Sequence, residues 1–242
     1  QVIPLRSQLK QAHAAQHPFI RKKCGRPIFR KTSFDTSHQF DVLHYRLELT
    51  FPFESTAFSG RTVITCRSNV DEPSEISFDM AELTADSVFF RGQKTAYSQS
   101  EYQIPITPGQ AIQQSDTFSV AIVYRGEPDD IGLYMTEWSA HTFAEPVDAR
   151  YWFPCFDVPW DKATAELYVT VPSGVEVASI GLLEKREIST DQQWETFHWK
   201  TEYPVATYLI CVTMSEYYAH WSDWYINETA DSIEMAYYIF EW

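Results

Sequence analysis

From Phe40 onward the chain alternates apolar and polar residues in short runs, a pattern of half-buried β-strands rather than helices. The opening run, FDVLHYRLEL over Phe40–Leu49, is followed by FSGRTVIT over Phe58–Thr65, where Ser59-Gly60 reads as a turn at the strand start. Further strands are expected over Arg61–Arg67, Ser74–Met80, Asp86–Arg91, Glu101–Ile106 and Thr117–Tyr124. Beyond Pro159 the same reading gives Ala165–Val171, Glu176–Gly181, Leu183–Ile188, Trp194–Lys200, Ala206–Tyr217 and Ile233–Phe240. Strands recurring at roughly ten-residue intervals, with no long amphipathic helices between them, predict an all-β antiparallel sandwich or saddle and exclude a parallel α/β sheet.

One segment has neither period. Thr142–Pro159, TFAEPVDARYWFPCFDVP, sets Glu145, Asp148, Arg150 and Asp157 among Phe143, Tyr151, Trp152, Phe153 and Phe156. Charges among so many apolar side chains must be paired or face a cleft. Arg150 is the natural hub, because its guanidinium can engage two carboxylates at once. Pro146, Pro154 and Pro159 fix φ and push the preceding residues into extended geometry, which makes an ordered loop. Arg150, Asp148 and Asp157 are therefore expected to hold the loop. Glu145 precedes the aromatic run without an obvious local cation, and is the candidate for binding.

The first 36 residues differ from the rest. RSQLKQAHAAQH and IRKKCGRPIFRK carry most of the clustered positive charge, so residues 1–36 are expected to be a leader or peripheral arm, with a short helix over Leu5–His17 stopped by Pro18. His13 and His17 have the spacing of two ligands on one helix face, but Ala14 stands where a zincin has its glutamate, and no metal ligand is assigned. Residues 37–242 form the β domain. The final TADSIEMAYYIFEW stops within a strand pattern, from which a longer native protein is expected.

With 19 Lys plus Arg against 33 Asp plus Glu, the net charge of −14 argues against nucleic acid or an anionic membrane as partner. No run of about 18 apolar residues is available for a transmembrane segment. Cys24, Cys66, Cys155 and Cys211 form no C-x-x-C pair, and the last three lie in apolar surroundings, so buried free thiols are expected there. Asn227-Glu228-Thr229 fits the glycosylation tripeptide. Tyr217, Tyr218, Trp221, Trp224 and Tyr225 form an aromatic cluster that suits packing between sheets or a carbohydrate platform.

The segment resembles the N-terminal domain of the aminopeptidase N family, zinc gluzincins that include leukotriene hydrolase. Members carry a loop of the form Thr-Gln-x-Glu-Pro-x-Asp-Ala-Arg, an aromatic, then Phe-Pro-Cys-Phe-Asp-x-Pro and Lys-Ala. The matching positions here run from Thr142 through Glu145-Pro146, Asp148-Ala149-Arg150 and Phe153–Asp157 to Pro159 and Lys162-Ala163-Thr164. IGLY at Ile131–Tyr134 and PVATYLICVTM at Pro204–Met214 fall in the family's order, as do the two opening strands. The family's Gln is Phe143 here.

The resemblance implies a metallo-aminopeptidase that removes single residues from peptide N-termini. It places a carboxylate that grips the substrate α-ammonium on Glu145, with Phe143 and Ala144 shaping the wall against the first side chain. Gly-x-Met-Glu-Asn and His-Glu-x-x-His occur nowhere in the chain. No catalytic or metal residue is therefore assigned, this chain alone is expected to be inactive, and zinc is expected in a catalytic domain of the same protein. The alternatives are a stand-alone β-sandwich that serves as an interaction module, and a carbohydrate-binding sandwich using Trp221 and Trp224.

Overall fold

Two long alternating strands set the frame. β1 (Phe40–Thr50) and β2 (Phe58–Ser68) pair antiparallel, with Tyr45 opposite Ile64 and Leu49 opposite Gly60. Their apolar positions thus share one face, and Tyr45, Leu47, Leu49 and Ile64 are all buried there. The protein is represented by a computed structural model that describes residues 38–53, 55–136, 139–216, 219–226 and 232–239. The expected Leu5–His17 helix, the basic arm, Cys24, Tyr217, Tyr218 and Asn227 lie outside the described residues.

The remaining strands are β3 (Ile76–Asp79), β4 (Leu83–Phe90), β5 (Gln93–Lys94), β6 (Gln103–Ile106), β7 (Thr117–Gly126), β8 (Gly132–Met135) and β9 (Ser139–Phe143). After the loop come β10 (Lys162–Pro172), β11 (Glu176–Ser179), β12 (Leu182–Ile188), β13 (Trp194–Ala206), β14 (Val212–Ser215), β15 (Ala219–Ile226) and β16 (Ser232–Ile239). Eight of them form one sheet in the order β12-β13-β10-β1-β2-β7-β4-β5. A second sheet runs β11-β14-β9-β8, and β3-β6 and β15-β16 pair separately. The fold is all-β.

The antiparallel expectation has one exception. β1 and β10 pair in parallel, His44 opposite Thr164, while every other strand pairing described is antiparallel. Parallel neighbours need a long crossover, and here the chain travels through β2 to β9 and the charged loop before it returns.

Four further readings are corrected. Ser59-Gly60 is not a turn but lies inside β2, and Gly60 is required because a Cβ there would stand 2.6 Å from the Tyr124 ring. The single strand expected over Ala206–Tyr217 is broken by a 3-10 turn at Thr207–Leu209, where the Thr207 hydroxyl turns inward to donate to a buried carboxylate. Cys66 and Cys155 are buried free thiols, but Cys211 is exposed. Ile210 and Val212 take the inward positions on either side of it, and alternation turns residue 211 out. In the β15-β16 pair, Trp224 and Tyr225 are exposed rather than packed between sheets, and Trp221 lies opposite Tyr237.

Candidate functional site

The charged loop leaves the end of β9 and reaches β10 by crossing the interior. Its aromatics do what their composition demands: Trp152, Phe153 and Phe156 are buried, with Trp152 and Phe153 edge-on at 4.5 Å. Two buried tyrosines of the large sheet hold its backbone. The Tyr124 hydroxyl donates to the Trp152 carbonyl at 3.1 Å, and the Phe156 amide donates to the Tyr45 hydroxyl at 3.0 Å. Burial pushes both phenols above their ordinary range, so each keeps its proton.

At the centre lies Arg150, 8% exposed. Its Nε donates to Asp157 Oδ2 at 3.0 Å and to the Val147 carbonyl at 2.9 Å; Nη1 donates to Asp79 Oδ1 at 3.1 Å and Nη2 to the Asp157 carbonyl at 3.2 Å. Asp157, 1% exposed, also accepts from the Arg150 amide at 3.3 Å and the Thr207 hydroxyl at 2.7 Å. Asp79 Oδ2 accepts from the Asp157 amide at 2.9 Å. Burial pushes the Asp157 carboxyl up to about 6, and Asp79 adds to that, against the opposing pull of Arg150 and Thr207. A cation bridging two desolvated carboxylates, each with further donors, is a closed arrangement that fixes geometry rather than offering a ligand site.

Asp79 and Thr207 complete the hub from 71 and 50 residues away, where no local pattern marks them as partners. The signal for Asp79 was present: an ionisable residue ending the apolar strand ISFD must find a partner if it is buried. Asp148 contributes through its backbone, its amide donating to the Ala144 carbonyl at 2.9 Å and its carbonyl accepting from Tyr151 at 3.3 Å. Gly132 of the IGLY run explains itself here. It has φ of +70°, and a Cβ would lie 2.2 Å from the Asp148 carbonyl oxygen.

The leading edge of the loop is different. Thr142 ties β9 to β14 by accepting from the Val212 amide at 3.0 Å and donating to the Val212 carbonyl at 3.3 Å. Beyond it Phe143 is 55% exposed, Ala144 is 2% exposed and packed in the core, and Glu145 is exposed. Of the wall expected from Phe143 and Ala144, only the Phe143 side chain is open. Among the described residues Glu145 has no ion pair. Its charge is felt at Cys211, whose thiol is pushed up first by desolvation and then by the Glu145 carboxylate. The Glu145-Pro146 peptide is cis.

Residues 41–209 match the family model described as the Peptidase M1 N-terminal domain. The chain is 26% identical over 185 residues to "Leucine aminopeptidase 2" of Candida albicans, covering 72% of this chain and 28% of that protein. It is 33% identical over 95 residues to the "Glutamyl aminopeptidase" of Homo sapiens, 36% of this chain and 10% of the relative. The M1 zinc metallopeptidase of Deinococcus radiodurans shares the fold, with a TM-score of 0.73 at 22% identity over 82% of this chain and 47% of that one. The chain thus spans under a third of the length of these curated relatives. On a match covering most of its described residues, this chain belongs to the Peptidase M1 N-terminal domain family.

Proposed function

We propose that this chain is the non-catalytic N-terminal part of a zinc metallo-aminopeptidase and that it presents Glu145 to the free α-ammonium of peptide substrates. Phe143 forms the accessible wall beside that carboxylate, and Ala144 backs it from the core. The reaction itself, hydrolysis of the first peptide bond, would belong to a catalytic domain in the same protein, where a bound zinc would supply Lewis-acid activation of the scissile carbonyl and of water. The role of this domain is register. A carboxylate held at fixed distance from the metal admits only substrates whose amino terminus reaches it.

The observation that carries the reading is the contrast within one loop: every charge at the Arg150 hub is paired and buried, whereas Glu145 stands exposed on the same stiff segment without an ion pair among the described residues. A charge-assisted contact to an ammonium contributes about 1.5–3 kcal/mol, roughly a 10- to 150-fold preference for a free amine. In the full-length enzyme, Glu145→Gln is expected to lower kcat/KM at least tenfold for peptides with a free amino terminus. Phe143→Gln, which restores the family's polar residue, is expected to lower KM for the same substrates. Unchanged kcat/KM in Glu145→Gln removes the residue from substrate binding.

A further inference from the structure

The starts of β1 and β10 lie side by side because the two strands run parallel; in an antiparallel pair they would lie at opposite ends. His44 faces Thr164 and Tyr45 faces Ala165, and just ahead of that pairing the Val42 amide reaches Asp161, which brings Asp161 to the start of β1. His38 comes just before β1. Ligand-capable atoms of His38, Asp41 and Asp161 lie within 4.8 Å of one another.

Asp161 is the unusual member. It is only 5% exposed, and its Oδ2 accepts a single long hydrogen bond from the Val42 amide at 3.4 Å. Its Oδ1 is buried with no hydrogen-bond partner. Arg67 donates to Asp41 Oδ2 at 2.8 Å, so the cation on this strand end is spent on the outer carboxylate. Burial pushes the Asp161 carboxyl up to about 6, with the Asp41 charge adding to it and the Val42 amide and His38 opposing. A desolvated carboxylate with one oxygen left without a donor, beside a second carboxylate, is under-compensated. The Arg150 hub shows how this protein completes such an arrangement when it can.

We propose that His38, Asp41 and Asp161 bind a divalent transition-metal cation of the zinc type. One imidazole nitrogen with two carboxylate oxygens is a borderline donor set, suited to zinc rather than to calcium, which takes six to eight oxygens. Three protein ligands leave a fourth position for water. In a tetrahedral zinc site with bonds of about 2.0–2.2 Å the ligands stand roughly 3.4 Å apart. The part-exposed His38 and Asp41 can close on the buried Asp161 by that small difference through side-chain rotation. The ion would tie the segment before β1 to the end of the charged loop, coupling occupancy to stability.

The test uses the full 242-residue chain, stripped with chelator and dialysed, and zinc chloride as the probe. Expected are one zinc retained per chain by elemental analysis, a higher unfolding temperature in zinc, and no rise in an equal concentration of calcium. Asp161→Asn, which keeps the shape, and His38→Gln should each weaken the zinc Kd at least tenfold, with circular dichroism confirming that each variant folds. Asp41→Asn serves where either does not. His13→Ala/His17→Ala should bind as the parent does. The proposal is overturned by no retained zinc, by undiminished binding in the folded site variants, by loss of binding in the His13/His17 variant, or by a calcium response without a zinc response.

Discussion

Two carboxylates twelve positions apart on the same loop meet opposite fates. Asp157 is sealed in the interior, where Arg150, Thr207 and the Arg150 amide all donate to it. Glu145 is left in solvent with its charge uncommitted among the described residues. The difference teaches how to separate structural from available charge. A buried ion that lost its partner would cost several kcal/mol, so burial enforces pairing; an exposed one faces no such demand, and its fixed placement is the informative feature.

The comparison is broken most severely at the hub. Arg150→Met should destabilise the protein by about 3–5 kcal/mol near pH 8, read by denaturant titration, because Asp157 and Asp79 are left buried without their cation. The sign of its pH dependence follows from Asp157. A carboxyl raised to about 6 contributes stability that is full below its ordinary value near 4 and is lost as pH rises through the folded value. Removing Arg150 takes away the main opposing pull and moves that loss to still higher pH. The penalty should therefore shrink steadily toward pH 5, and a penalty that grows on acidification would contradict the network.

Next in size is Gly132→Ala. It forces a Cβ into left-handed backbone and onto the Asp148 carbonyl, and should cost about 2–3 kcal/mol in the same titration. Tyr124→Phe removes the donor to the Trp152 carbonyl and the acceptor of the buried Thr62 hydroxyl, and a loss of about 1–2 kcal/mol is expected. Glu145→Ala sharpens the comparison from the other side: its stability should stay within about 0.5 kcal/mol of the parent. A larger loss would mean that Glu145 is a structural carboxylate like Asp157.

The strand periods were legible in the sequence because alternation is local: Phe40–Leu49 and Thr117–Tyr124 fall inside β1 and β7 as read. The loop motif likewise identified Arg150 and Asp157 as charges in need of partners, and Glu145 as the outlier. Three things were not legible. Nothing local told that Gly60 lies under the Tyr124 ring, that Asp79 completes the hub from 71 residues away, or that Asp161 keeps an orphan oxygen beside Asp41. Each depends on which segments become neighbours: β2 with β7 for Gly60, β3 with the loop at Cys155 for Asp79, and the parallel union of β1 with β10 for Asp161. By itself the sequence determined periodicity, the all-β class and the residue types that must be paired, since those follow from side-chain chemistry and spacing along the chain. Only the tertiary structure decided the partners, because burial turns a general requirement for compensation into one geometry, met at Arg150 and unmet at Asp161.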